Sequence, residues 1–306
     1  MRIVALWATL LVLQNDKYEG VMIMRITDIA NVINENNIVV FSPHYDDFPL
    51  MMAGYIFELK AKGLFSKKRF ANINVFSRSN YQLRDIHGNK DLSIERIKYA
   101  VGNRLIEDMY CMDELLGQYN YVYRLLCEYD CSLREKQTAK SAMEFHHGTY
   151  DDFDSKDWAI LDRLTAVIGE YMQLEDTALV FPIGFKEHFD HFIVREAGLK
   201  SAANPSSARF YFAEEKPLSG IADKVETTKI NDLIKENKLD TRAFLHHPKK
   251  VVDLVFKYYI SQVEEVYSKG IIQRAEALCT EYSVDFPLDC IYAYPMPERS
   301  ARDLTE

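Results

Sequence analysis

Glycine and proline are sparse in this 306-residue chain, at 12 and 9 residues, and neither gathers into a run. That excludes collagen-like and linker-rich organisation and leaves no obvious point at which the chain would divide. No internal repeat or low-complexity tract occurs, which removes solenoids and propellers. GxGxxG, P-loop and GxSxG patterns are absent as well, so neither a nucleotide-cofactor enzyme nor a serine hydrolase has a motif to rest on. Cysteines number five, an odd count, and none forms a CxxC. Cys127 and Cys131 stand four apart in a helix-like segment, but they lack partners at zinc-ligand spacing. Together with Cys111, Cys279 and Cys290 they read as buried, reduced thiols. Basic residues are the minority: 37 Lys and Arg against 46 Asp and Glu give a net charge of −9. Such a surface repels phosphate backbones, so nucleic acid is not an expected partner. The apolar run from Ile3 to Leu13 is too short to span a bilayer. It has the length of a signal-peptide core, yet Gln14-Asn15-Asp16-Lys17 offers no small-residue cleavage pattern. Met22 and Met24 lie just upstream of the first folded element. Residues 1–24 are therefore read as a signal-like extension or an over-long gene start. Residues 25–306 are read as one domain, with no integral membrane span and a cytoplasmic location.

What is present is the material of a globular core: 48% hydrophobic and 27% charged residues. Apolar strands alternate with helical periodicity. Asn37 to Ser42, Ala71 to Ser77, Ala178 to Pro182 and Ala208 to Ala213 read as strands. Leu50 to Lys62, Asp157 to Gln173, residues 190 to 202 and one long late segment, Val251 to Lys269, read as helices. Leu92 to Leu105 reads as another, with Ile94, Ile97, Val101 and Leu105 at helical spacing. Strand, helix, strand in repetition predicts an α/β fold, a mostly parallel sheet covered by helices on both faces. In such sheets ligands gather beyond the carboxyl ends of the strands. Residues 115 to 155, rich in Tyr, Cys and acids, read as an insertion that could wall a pocket.

Two clusters fall at such ends. In IVVFSPHYDDFPL, residues 38 to 50, a buried strand runs into Ser-Pro and then delivers His44, Asp46 and Asp47. In FPIGFKEHFDHFIV, residues 181 to 194, a strand and a proline are followed by His188, Asp190 and His191. Either cluster alone reads as helix-capping residues. Two of them, each after an apolar strand, predict one shared site. Two imidazoles and a carboxylate with an open position make a catalytic zinc site, and His44, Asp47 and His191 satisfy that count. Asp46 would then take a proton from metal-bound water. His188, as a cation or hydrogen-bond donor, would stabilise the oxyanion or protonate the leaving amine. His146-His147 and His246-His247 read as solvated or capping groups, and His87 as exposed.

These strings resemble the PIG-L, or LmbE-like, family of zinc-dependent deacetylases. That family shows an apolar strand followed by (A/S)-H-P-D-D-E and, later, H-P-D-H. Here Ser42-Pro43-His44-Tyr45-Asp46-Asp47-Phe48 and His188-Phe189-Asp190-His191 stand in those places. Softer matches are Ala53-Gly54, Phe76-Ser77-Arg78-Ser79, Phe210 through Pro217, and Lys250 with Tyr259-Ile260-Ser261-Gln262, so the resemblance spans residues 36 to 265 in order. It implies a Rossmann-like fold and hydrolysis of an N-acetyl group on an amino-sugar-type small molecule or glycoconjugate. It also implies zinc, or ferrous iron, on His44, Asp47 and His191, with Asp46 as general base and His188 as electrostatic helper. Asp190 would either orient a ligand histidine or cap the helix after it. Tyr45, Phe48 and Phe189 replace family residues and predict a more aromatic site wall. The alternatives are hydrolysis of a different N-acyl group by the same residues, or a non-catalytic glycan-binding or regulatory protein on the same fold.

Overall fold

The computed structural model describes residues 26–83, 85, 87–136 and 146–295. Residues 1–24, read above as an extension, lie outside them. The chain alternates from β1 (Asn37–Ser42) and α1 (Asp47–Ala61) through β2 (Arg69–Asn74), α2 (Ile94–Leu116), β3 (Tyr121–Leu125) and α3 (Ser155–Met172). It continues through β4 (Thr177–Pro182), α4 (Phe189–Ala202), β5 (Arg209–Ala213), α5 (Leu218–Ile221) and α6 (Lys224–Glu236). It ends with β6 (Asp240–Leu245), α7 (Pro248–Tyr258), α8 (Glu265–Tyr282) and β7 (Leu288–Ala293). No helix among the described residues is long and apolar enough to cross a membrane.

The strands form one sheet in the order β3-β2-β1-β4-β5-β7-β6. The first five run parallel, and β7 is antiparallel to both β5 and β6. This is the mostly parallel α/β sheet that the alternation predicts. Successive side chains of a strand point to opposite faces, so each central strand feeds two cores. Ile38 and Val40 pack with α1, the end of α2 and α7, while Val39 and Phe41 pack with α3 and α4. On the second face Phe41, Phe181 and Phe210 stack in a row, with ring centroids 4.9 and 5.8 Å apart.

Three expectations need correction. The late segment is two helices, because the chain turns between Tyr259 and Glu264 and buries Tyr259, Gln262 and Val263. Cys127 is not helical: it is exposed, with φ of 59°, while Cys131 opens a 3-10 turn. His246 is buried, with its Nδ1 3.6 Å from Asp289, and does not face solvent. His87 and His147 are exposed. Residues 121 to 125, within the stretch read as an insertion, form the edge strand β3.

In α2 the apolar row is not the most buried one, since Ile97, Val101 and Leu105 are half-buried. Ile94 is exposed, whereas Arg96, Ala100, Arg104, Asp108 and Cys111 face inward. Asp108 accepts the Tyr259 hydroxyl at 2.5 Å and also the Tyr123 hydroxyl, which ties α2 to β3 and the α7–α8 turn. Burial pushes its carboxyl up to about 8, against the two hydroxyls, which favour the charged form. The folded chain therefore keeps a proton that the unfolded chain has already released. Stability from this group is complete below the ordinary carboxylate range and is lost as pH rises through about 8. Asp108→Asn should flatten that decline, as read from urea midpoints across the window; an unaltered slope would assign the decline to other groups.

α5 and α8 cross closely, and this fixes the segment after β5. A Cβ on Gly220 would lie 1.8 Å from the Gly270 carbonyl oxygen, a backbone atom that cannot swing aside. Gly220→Ala should cost about 1–3 kcal/mol, the usual range for overpacking. Chemical denaturation of the purified variant measures this, and an unchanged midpoint would mean the crossing is looser.

Candidate active site

β1 and β4 are neighbours, and the chain leaves them in opposite directions, toward β2 and β3 on one side and β5 on the other. The gap beyond their carboxyl ends is the topological switch point of the sheet. Both sequence clusters lie there. After β1 a short turn carries His44, Tyr45 and Asp46, and Asp47 is the first residue of α1. Asp47 Oδ2 accepts the His44 backbone N–H at 2.7 Å, which folds the turn back on the helix start. After β4 the backbone takes left-handed conformations at Gly184, Lys186 and Glu187. Two of these are non-glycine residues, a cost borne beside the site. Ion pairs from Lys186 to Glu226 and from Glu187 to Lys229 hold this turn against α6. His188 then caps α4, and Asp190 and His191 occupy its first turn.

The two histidines are held in the same way. His44 Nε2 is 2.9 Å from Asp190 Oδ2, and His191 Nδ1 is 2.9 Å from Glu215 Oε1. The remaining nitrogens, His44 Nδ1 and His191 Nε2, each lie 3.3 Å from Asp47 Oδ2. Asp190 is itself fixed by Arg134 Nη2 at 2.8 Å and by the Cys131 N–H at 2.9 Å. Glu215 accepts the Gly184 N–H at 2.8 Å. Asp190 thus orients a histidine. Sequence reasoning did not find Glu215, Arg134 or Arg104; the one available signal was the acidic segment before Pro217.

Burial lowers the basicity of both rings, but their carboxylates outweigh it. His44 is raised to about 10 by Asp190 and Asp47, and His191 is raised by Asp47 and Glu215. Burial likewise raises Asp47, yet His191 and His44 bring it down to about 2. Asp46 moves the other way, raised by burial and by Asp47, with Arg104 Nη2 opposing from 3.6 Å. Adjacent carboxyls pushed apart mark distinct acid–base roles. His188 is held well below its ordinary value by burial and by its neighbours His191 and His44, so it is neutral.

The donor set fits a divalent metal. Ligand nitrogens of His44, His188 and His191 lie within 4.8 Å of one another, and Asp47 adds an oxygen beside two of them. Among the described residues the arginines paired with Asp46, Asp47, Asp190 and Glu215 are Arg104 and Arg134, which leaves two negative charges for imidazolium protons or a dication to balance. A second grouping, Cys131 with His188 and Asp190, fits less well. The Arg134 cation sits on Asp190, and burial keeps the Cys131 thiol protonated. Tyr45, Phe48 and Phe189, expected to make an aromatic site wall, are each 0% exposed and belong to the core.

Metal titration should give about one equivalent per chain, lost in His191→Ala. Glu215→Gln should weaken binding about 10–100-fold, the usual loss when a carboxylate behind a ligand histidine is removed. Undiminished affinity in both variants would place the metal elsewhere.

No family model matches the chain, and no curated protein matches it in sequence. Solved structures match in fold. The zinc-inhibited form of teicoplanin deacetylase Orf2 has a TM-score of 0.55 at 15% identity, over 86% of this chain and 100% of that chain. A deacetylase–teicoplanin complex from the teicoplanin biosynthesis pathway gives 0.54 at 14% identity, over 84% and 97%. N,N'-diacetylchitobiose deacetylase from Pyrococcus horikoshii gives 0.50 at 14% identity, over 90% and 92%. The chain therefore has the fold of these deacetylases, the α/β fold that the motif resemblance implies.

Proposed function

We propose that this chain is a metal-dependent N-deacetylase acting on an N-acetylated amino-sugar-type substrate. His44, Asp47 and His191 hold the ion, zinc or ferrous iron, while Asp46 and His188 act on the substrate. The observation that carries this reading is the paired presentation of His44 and His191. Each is anchored through one nitrogen by a buried carboxylate and offers the other beside Asp47. Carboxylate-backed histidines of this kind are the usual support of metal ligands. Neighbours of the same fold whose names specify diacetylchitobiose and teicoplanin deacetylation support the acetylated amino sugar.

When bound, a dication supplies Lewis acidity that polarises an amide carbonyl and acidifies water. The chain supplies the remainder. Asp46 accepts the proton of the attacking water, and its raised basicity suits that task. Arg104, 3.6 Å from Asp46 Oδ1, favours the ionised carboxylate and fixes its direction. His188 stabilises the developing oxyanion as a neutral N–H donor and not as a cation. Burial of the whole set, with His44, Asp46, Asp47 and His191 each under a tenth exposed, strengthens every one of these interactions. Nothing in this geometry favours the non-catalytic alternative.

Asp46→Asn tests the assignment. It should retain the fold and bind metal, but lose about 10²–10⁴-fold in kcat on N-acetylglucosamine-type substrates. Full turnover in that variant would remove Asp46 from the chemistry.

A further inference from the structure

The candidate site keeps contact with solvent: the side chains of His44 and Asp46 are each 11% exposed, and His188 is half-buried. Two half-buried tyrosines from distant parts of the chain stand at Asp46. Tyr81 comes from the loop after β2, the strand beside β1. Its backbone N–H donates to Ser79 Oγ at 3.0 Å, and the same oxygen accepts Arg104 Nη1 at 3.0 Å. The Arg104 guanidinium lies 6.0 Å from the Tyr81 ring centroid and faces Asp46 with Nη2. Tyr81 and Asp46 therefore flank one buried cation. Tyr267 lies in the first turn of α8. Residues three, four and seven apart share a helix face, so Tyr267 is aligned with Gly270 and Arg274. A Cβ on Gly270 would fall 2.4 Å from the Pro217 Cβ, and Arg274 Nε donates to Glu214 Oε2 at 2.6 Å. That face thus lies along the segment that holds Glu215 under His191, with Tyr267 one turn further along it.

Neither hydroxyl has a hydrogen-bond partner among the described residues, yet neither is sealed from solvent. Burial raises both phenols, Tyr81 to about 12 with Arg104 opposing, and the Asp46 carboxylate adds to each. At Tyr267 the Tyr81 hydroxyl adds next after Asp46, so the two phenols meet at that carboxylate. Both stay protonated, and each can donate one hydrogen bond and accept others. Uncommitted hydroxyls on aromatic rings suit a polyol ring, which is apolar on its C–H faces and hydroxylated at its edge. An anionic ligand fits poorly. Arg104 is already paired with Asp46, and the Glu264 carboxylate lies near Tyr81.

We propose that Tyr81 and Tyr267 are specificity-determining residues of this site. Their hydroxyls bond the ring hydroxyls of a neutral sugar whose acetamide lies at Asp46. The proposal rests on the deacetylase reading of the site.

The test measures kcat and KM for N-acetylglucosamine in the metal-loaded wild type, Tyr81→Phe and Tyr267→Phe. Urea midpoints and calorimetric titration with the same sugar accompany it. KM should rise about three- to tenfold in each variant, the worth of one neutral hydrogen bond, with kcat falling by less. The urea midpoints should not move, since neither hydroxyl is bonded within the described chain. A KM unchanged in either variant would overturn the proposal and leave the deacetylase reading standing. A raised KM accompanied by a lowered midpoint in both would assign the hydroxyls to packing and overturn it too. If the wild type does not turn the sugar over, binding that both variants weaken would sustain the tyrosine pair and count against deacetylation. Absence of binding and turnover in the wild type would overturn the proposal.

Discussion

Asp47, Asp190 and Glu215 bury their carboxylates around the rings of His44 and His191, where an unpaired charge would cost several kcal/mol. Much of the remaining structure answers that constraint. Arg134, beyond β3, reaches Asp190, and its Nε continues to Asp157 at the start of α3. Arg104 reaches Asp46 from α2, and the loop after β5 brings Glu215 under His191. Glu215 is held in turn by the neighbouring segment, where Glu214 is bonded to Arg274 of α8 and to the Tyr292 hydroxyl of β7. Elements distant in sequence are thus joined because each contributes one charge to a single buried balance.

That balance is short of two positive charges unless the imidazoles are protonated. Protons on His44 and His191 and a dication are alternative occupants of the same nitrogens. On the proposed reading, ion binding would release protons, and affinity would be linked to pH through these two rings. The carboxylates that raise the basicity of the histidines would also strengthen them as ligands of the proposed ion. At His188 burial and the neighbouring His191 and His44 outweigh Asp190 and Asp47, and the ring stays neutral. Three histidines within one cluster are therefore chemically unlike.

The parts legible in the sequence were those specified locally. β1 was read at its observed bounds, and the helices after β1 and β4 to within three residues at their starts, since an apolar run ending in proline and polar residues is a complete signal. The two clusters were legible for the same reason. Glu215, Arg104 and Arg134 were not, because their roles come from contacts across the sheet that no spacing encodes. The break between α7 and α8 was hidden likewise. No glycine or proline marks it; it exists because Tyr259 bonds to Asp108 and Gln262 to Arg104. β6 and β7 carry short apolar stretches whose antiparallel pairing is a tertiary matter.

α2 shows why an apolar pattern can mislead about which face is buried. Its outward row carries Ile94, Tyr99 and Ile106, while its inward row carries Arg96, Arg104 and Asp108. Hydrophobic periodicity assumes that burial is driven by apolar area, at about 25 cal/mol per Å². Here the inward positions near the site are occupied by charges whose burial is offset by specific partners: Asp46, Gln262 and Ser79 for Arg104, and two tyrosine hydroxyls for Asp108. The expected helix ends at Leu105, the last residue of the apolar spacing, whereas the observed one continues through Glu107 and Asp108 to Leu116. Those two residues brace the α7–α8 turn on one side and β3 on the other. A local rule fails where specific partners take over the position, and along α2 this is plainest at Arg104, which reaches Asp46 of the candidate site.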